Sequence, residues 1–106
     1  MDRDSERWPE IDGLNWRQRL LKARSQEEVM RLCRDFVAEW PPVRIRLLPN
    51  DCVPPKLADA EAVTGYSGRL VRAELRVERV INELQLMTNF FSAASARLAQ
   101  VIPTKP

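Results

Sequence analysis

The feature that most constrains the fold is a long apolar repeat in the second half of the chain. Its positions step alternately by 3 and 4 residues for more than five heptads: Val63, Tyr66, Leu70, Ala73, Val77, Val80, Leu84, Met87, Phe91, Ala94, Leu98 and Val101. This spacing places one apolar stripe along one side of an α-helix and is typical of coiled coils. A continuous helix over residues 63–101 would be about 58 Å long. The sequence therefore predicts one long C-terminal helix that a small domain cannot cover alone.

Two arrangements of this predicted helix are open. Residues 87–89 are the best place for a break, because Thr88 or Asn89 could cap a new helix there. The repeat keeps its phase through this point without loop residues, which favours a continuous helix. The stripe is covered either by the first helices of the same chain or by a second copy. The length of the helix favours a homodimer or higher homo-oligomer, and the self-association residues would be Val77, Leu84, Met87, Phe91 and Leu98.

Two shorter helices are predicted before this long one. The first covers about residues 14–24. The second begins at Ser25, because Ser25-Gln26-Glu27-Glu28 is a capping box in which the serine and glutamate side chains satisfy backbone N–H groups. Pro41 and Pro42 end this helix, since proline lacks the backbone donor that a helix needs. These three helices predict an all-α fold, a small helical bundle.

A proline-rich connector over residues 41–55 joins the second helix to the long one. Within it, residues 43–47 alternate apolar and basic side chains, a pattern typical of a short half-buried strand. The chain offers no second strand candidate, so this segment is either an extended strap packed on the helices or a strand that pairs with a second copy. The strap is favoured, and the long helix would then begin just after Pro55.

The charge is distributed unevenly along the chain. Residues 1–12 hold five acids and two arginines, a charge of −3 in a total of +2, so residues 13–106 carry +5. We interpret residues 1–12 as a flexible acidic tail, residues 13–102 as a single domain and residues 103–106 as a short C-terminal tail. The first helix is basic with no acid among its charges, which indicates either a surface for an acidic partner or a face neutralised by the tail. With the apolar side chains of the connector it forms the predicted partner-binding surface: Arg17, Arg19, Lys22, Arg24, Val43, Ile45 and Leu47.

The absence of histidine excludes histidine-dependent catalytic triads and imidazole metal ligands. Cys33 and Cys52 have no C-x-x-C spacing, and they fit free thiols in a reducing cytoplasm better than a redox or zinc motif, although a disulfide between them stays open. The acidic amino terminus has no apolar signal-peptide region, and no charge-free stretch is long enough to span a bilayer. We therefore expect a cytoplasmic protein with no catalytic site, cofactor or metal.

These observations favour a non-enzymatic helical protein-interaction module, such as an adaptor, a chaperone-like protein or a regulatory subunit, that acts as a homo-oligomer. One alternative is a nucleic-acid-binding dimer that uses the basic first helix and the basic residues of the long helix, Arg69, Arg72, Arg76 and Arg79. Glu27 and Glu28 would repel DNA from a helix-turn-helix at this position. A further alternative is a small enzyme or ligand binder without histidine, using Cys52, Glu74 or Glu78.

Overall fold

The computed structural model describes residues 14–101, and most of these residues are helical. The helices are α1 (Leu14–Lys22), α2 (Gln26–Glu39), α3 (Pro42–Ile45), α4 (Ala60–Arg76) and α5 (Asn82–Gln100). A 3₁₀ turn, Asn50–Cys52, lies between α3 and α4, and residues 14–101 contain no β-strand. The all-α fold predicted from the sequence is therefore confirmed. The predicted tails, residues 1–12 and 103–106, lie outside the described residues.

The capping signals of α2 act as the sequence predicts. Ser25 Oγ accepts a hydrogen bond from the Glu28 backbone N–H at 3.2 Å. The Glu28 carboxylate reaches back one residue further than in a standard capping box, to the Arg24 backbone N–H at 2.6 Å. At the other end, α2 stops at Glu39, immediately before Trp40 and the two prolines. Local backbone chemistry thus sets both ends of this helix.

The connector differs from the prediction, because residues 42–45 form a helical turn instead of an extended strap or a strand. Pro42 occupies the first position of α3, where its missing N–H costs nothing. The backbone N–H groups of Arg44 and Arg46 donate to Pro41 O and Pro42 O, each at 3.0 Å. The turn satisfies these groups within the segment, whereas a lone strand would leave them unpaired. Both strand interpretations of residues 43–47 are therefore wrong.

The start of the next helix also differs from the prediction. It lies at Ala60, five residues after Pro55, because Asp59 caps it. The Asp59 carboxylate accepts from the Ala62 backbone N–H at 2.9 Å. Aspartate is favoured at this position because its carboxylate accepts hydrogen bonds from the free N–H groups of the first helical turn.

The prediction of one long C-terminal helix is wrong, since residues 77–81 interrupt it. Val77 (φ −77°, ψ 147°) and Ile81 (φ −114°, ψ 113°) have extended backbones. The ring centroids of Tyr66 in α4 and Phe91 in α5 lie 4.9 Å apart, which requires the two helices to run antiparallel as a hairpin. The alternative break at residues 87–89 is also wrong, because Thr88 lies inside α5 and its hydroxyl donates to Leu84 O at 2.8 Å.

Most side chains of the apolar repeat are buried, as its spacing predicts, but the two halves of the repeat pack against each other. Leu70 and Ala73 of α4 are buried, as are Leu84 and Met87 of α5. Two repeat positions, Val77 and Val80, fall in the connection, and Val80 is 73% exposed. A hairpin buries both halves of the stripe inside one chain at the cost of the few helical hydrogen bonds lost over residues 77–81. The premise that one chain cannot cover this stripe is therefore wrong.

An aromatic cluster joins the N-terminal helices to the hairpin. Phe36 of α2 stacks on Phe90 of α5, with ring centroids 3.9 Å apart and an interplanar angle of 11°. Trp16 of α1 meets the Phe36 and Phe90 rings edge-on, at centroid distances of 5.4 and 6.1 Å. This packing fixes which side of α1 faces the core and which faces solvent.

Candidate functional site

The basic residues predicted to bind a partner lie on the outer side of α1. On the inner side, Trp16 and Leu20 are buried in the core. The basic side chains of α1 and of the turn after it are all exposed: Arg17, Arg19, Lys22 and Arg24. Burial of the apolar side therefore presents the basic side to solvent.

An open groove of about 350 Å³ lies between α1 and α2. We call it the basic groove, and it is lined by Arg19, Lys22, Ala23, Glu28, Arg31 and Leu32. Its apolar lining comes from Ala23 and Leu32. The sequence predicts partner binding for Arg19 and Lys22 but not for Arg31. The spacing of the apolar residues in α2 could have predicted that Arg31 is exposed. Only the packing of α1 against α2 places Arg31 in the groove.

The three cations of the basic groove are free of ion pairs within the part of the chain that the structure describes. Arg19, Lys22 and Arg31 form none with any residue between 14 and 101. The one carboxylate in the groove, that of Glu28, already accepts the hydrogen bond from Arg24 N. The Arg19 guanidinium lies over the Trp16 ring, 4.5 Å from its centroid, which orients that side chain. The groove therefore offers unpaired positive charge beside apolar surface.

Arg97 of α5 holds the wall of the basic groove in place. Its Nη2 donates to the Ala23 carbonyl at 2.8 Å, and its Nη1 donates to Gln100 Oε1 at 3.1 Å. The buried Nε of Arg97 has no acceptor among the described residues. The bond to Ala23 satisfies a carbonyl just beyond the end of α1 and ties the groove to the hairpin.

The five predicted self-association residues face the interior of the chain. Val77 is half-buried in the α4–α5 connection. The four in α5 are buried: Leu84, Met87, Phe91 and Leu98. They therefore offer no surface to a second copy in this fold. The predicted homo-oligomer loses the residues on which it was based, and it stays a prediction.

The predicted connector surface is only partly exposed. Val43 and Leu47 are more than half exposed and lie one helical turn apart. Ile45 is half-buried against the core. The alternating burial expected of a strand is therefore lost: the helical turn exposes Val43 and Leu47 and buries Arg44.

A second cavity, of about 220 Å³, lies at the α4–α5 connection. Glu74, Glu78 and Val80 are among its lining residues. Nearby on α4, Leu75 is 82% exposed. Glu74 and Glu78 are the candidate site residues of the ligand-binder alternative, whereas the sequence pattern does not predict the exposed face that includes Leu75.

The two cysteines are free, buried thiols. Burial raises the pKa of Cys33 to about 12 from its ordinary value of 9.0. The pKa of Cys52 is also raised, first by burial and then by the neighbouring Asp51 carboxylate. A raised pKa lowers the thiolate fraction that a nucleophile needs. Neither thiol thus has the environment of a reactive cysteine.

Two further features are absent from the described part of the chain: a cluster of metal ligands and a membrane-spanning helix. Residues 14–101 contain no group of three or more histidine, cysteine, aspartate or glutamate side chains that could hold a metal ion. Among the same residues, no helix combines the length and the apolar character needed to cross a membrane.

Comparison of the chain with protein-family models, with curated proteins and with solved structures finds no match to any of them.

Proposed function

We propose that this chain is a non-enzymatic protein-interaction module that binds an acidic, partly apolar segment of another protein in the basic groove. The observation that carries the proposal is the groove itself, with three cations that form no ion pair among residues 14–101 beside the apolar side chains of Ala23 and Leu32. Such a module acts as an adaptor or a regulatory subunit in a reducing cytoplasm, where Cys33 and Cys52 stay thiols.

The charge pattern supports an acidic ligand. An incoming carboxylate would find Arg19, Lys22 or Arg31 without having to displace a carboxylate of residues 14–101. Arginine forks also suit carboxylates, because they donate two parallel hydrogen bonds. The positive side of α1 would steer an acidic partner toward the groove and raise its association rate.

The apolar lining supports a protein ligand over nucleic acid. Leu32 is half-buried in the groove, and Leu21 of α1 is 68% exposed. A phosphate backbone gains little from such side chains, since its binding is dominated by contacts with cations. Glu27 and Glu28, in the first turn of α2, add negative charge at the place where phosphates would approach.

The test uses fluorescence anisotropy with a labelled amphipathic helical peptide of glutamate and leucine. We expect the full chain to bind it, and we expect a peptide with glutamine in place of glutamate to bind at least about fivefold more weakly. Arg19→Glu, Lys22→Glu and Arg31→Glu should each weaken binding of the acidic peptide by at least about fivefold. Arg46→Glu is the matched control, because Arg46 is also an exposed cation but lies in the connector, outside the groove.

Two outcomes would overturn the proposal. One is equal binding by the wild type and the three groove variants. The other is tight binding of a duplex or single-stranded oligonucleotide, with a steep loss of affinity as salt rises, in the absence of peptide binding. That second result would establish the nucleic-acid alternative.

A further inference from the structure

The outward side of α4 carries a second, narrower seam that the core does not use. Its residues recur at spacings of 4, 3 and 4: Thr64, Gly68, Val71 and Leu75. This outer seam lies opposite the buried stripe that includes Leu70 and Ala73. Val71 is 42% exposed and Leu75 is 82% exposed. A leucine this exposed, on a helix whose other side is already buried, marks a face that nothing in residues 14–101 covers.

Gly68 lies in the middle of the outer seam, and the fold of the single chain does not require a glycine there. Its backbone is helical. Within the described residues, a Cβ added at Gly68 would meet only the Arg72 guanidinium, with Nη1 at 3.5 Å, apart from the backbone of α4 itself. Glycine in a helix interior is nevertheless destabilising relative to alanine. A close approach by another helix backbone would explain why the smallest residue occupies this position.

Charges on the two flanks of the outer seam are of opposite sign. Arg72 lies on one flank and Glu74 on the other, and neither forms an ion pair with a described residue. Arg76, on the Arg72 flank, already pairs with Asp51 at 2.8 Å. Beside Val71 and Leu75, Arg72 and Glu74 therefore place charges of opposite sign, unpaired among residues 14–101, on the two flanks.

We propose that the outer seam binds a second copy of this chain, so that two α4 helices pair in parallel across Gly68, Val71 and Leu75. In a parallel pair related by a two-fold axis, opposite flanks meet, and the Arg72 flank of each copy lies beside the Glu74 flank of the other. An antiparallel pair would place like charges together. A foreign acidic or basic segment would neutralise only one flank, whereas a second copy neutralises both.

The size of the face sets the strength of this association. A helix of 17 residues is about 26 Å long, and a single pair of such helices buries less than the roughly 800 Å² per partner of a standard stable interface. The dimer should therefore be reversible, with a dissociation constant on the order of 10–100 μM. It uses a different surface from the basic groove, so it does not depend on the proposed function.

Sedimentation equilibrium of the full chain, from about 5 μM to about 500 μM, tests the proposal. The wild type should show a reversible monomer–dimer equilibrium, and Leu75→Glu should weaken it by at least about tenfold. Leu21→Glu is the matched control, because Leu21 is 68% exposed on α1, away from the outer seam. Circular dichroism of both variants confirms that they are folded.

Gly68→Gln separates helix stability from association. Glutamine is a better helix former than glycine, so the melting temperature of the dilute monomer should rise by about 4 °C while dimerisation weakens by at least about tenfold. Gly65→Gln is its control, because nothing lies within 4 Å of a Cβ at Gly65 and this residue lies on the Arg72 flank, beside the seam and not in it. Gly65→Gln should raise the melting temperature by a similar amount and weaken the dimer much less than Gly68→Gln does.

Cysteine crosslinking tests the parallel orientation. Thr64→Cys and Leu75→Cys, each alone, should form covalent dimers on mild oxidation, because a parallel pair brings identical seam positions together. Failure of both variants to form covalent dimers would overturn the parallel pairing. A wild type that remains monomeric up to about 500 μM, or a Leu75→Glu variant that dimerises as tightly as the wild type, would overturn the proposal itself.

Discussion

Arg44 and Glu83 form a buried ion pair, with Arg44 Nε 3.3 Å from Glu83 Oε2, that ties α3 to the first turn of α5. Their side chains are only 5% and 15% exposed. The Arg44 guanidinium also lies over the Trp40 ring, 5.0 Å from its centroid. The proline-rich connector is thus fixed to the hairpin through a charged residue that the alternating pattern of residues 43–47 would place in solvent.

Replacing Glu83 should destabilise the fold. Glu83→Ala leaves a largely buried guanidinium without this carboxylate, and we expect the free energy of unfolding to fall by about 1–3 kcal/mol. Urea denaturation measures the change. The matched control is Asp51→Ala, which removes the Arg76–Asp51 pair, whose side chains are 57% and 49% exposed. That pair should contribute less than about 1 kcal/mol, so equal losses for the two variants would contradict this interpretation.

The stack of Phe36 on Phe90 should be a main source of stability. Phe36→Ala removes a fully buried ring at the junction of α1, α2 and α5, and we expect a loss of about 3–5 kcal/mol in the free energy of unfolding. Leu21→Ala, at an exposed position of α1, should change it by no more than about 0.5 kcal/mol. Thermal unfolding followed by circular dichroism compares the two. A loss below about 1 kcal/mol for Phe36→Ala would contradict the packing described above.

Alkaline pH should destabilise the protein through its buried thiols. In the unfolded chain the thiol of Cys33 ionises near its ordinary pKa of 9.0, whereas in the fold its pKa is about 12. The unfolded state therefore loses protons first, and the free energy of unfolding falls as pH rises above about 9. By about pH 10 the contribution of Cys33 to this loss should be on the order of 1 kcal/mol.

Urea denaturation at about pH 8 and about pH 10, under reducing conditions, measures this effect. Cys33→Ala is the control, since it removes the group that titrates. Its stability should fall less between the two pH values than that of the wild type. The remaining fall reports on Cys52 and Tyr66, whose pKa values are also raised, mainly by burial. An identical fall in the wild type and Cys33→Ala would show that Cys33 is not the group responsible.

The hairpin should bring the far ends of α4 and α5 together. Spin labels on Glu61→Cys and Gln100→Cys, both at exposed positions, should lie within about 20 Å of each other in a hairpin. A continuous helix would separate them by about 58 Å. Double electron–electron resonance measures this distance. Dilution of the labelled chain with unlabelled chain is the control, because it removes distances between copies and keeps those within one chain.

The features that the sequence predicted correctly depend on neighbouring residues. Ser25 and Glu28 cap α2 through backbone groups within four residues, and Pro41 ends the same helix by lacking an N–H. The exposed basic side of α1 follows from its short apolar stripe, since Trp16 and Leu20 must face the core. These effects act over one or two turns and need no knowledge of the remaining chain.

The predictions that are wrong concern segments whose local sequence pattern is compatible with more than one structure. Residues 77–81 contain neither proline nor glycine, and the apolar spacing continues through them, so nothing local marks the turn. Residues 43–47 alternate like a strand, but Arg44 reaches Glu83, which is 39 residues away. Arg31 joins the basic groove only because α1 packs against α2. Each of these outcomes depends on contacts between distant parts of the chain.

The amino-acid sequence by itself determined that the chain is helical, which sides of its helices are apolar and where α2 begins and ends. The tertiary structure alone decided that the apolar repeat folds back on itself, which hides the residues predicted for self-association and leaves Leu75 and the basic groove exposed. The physical reason is that helical periodicity specifies which side of a helix is buried but not what covers it. The free energy of packing between distant segments decides the covering partner.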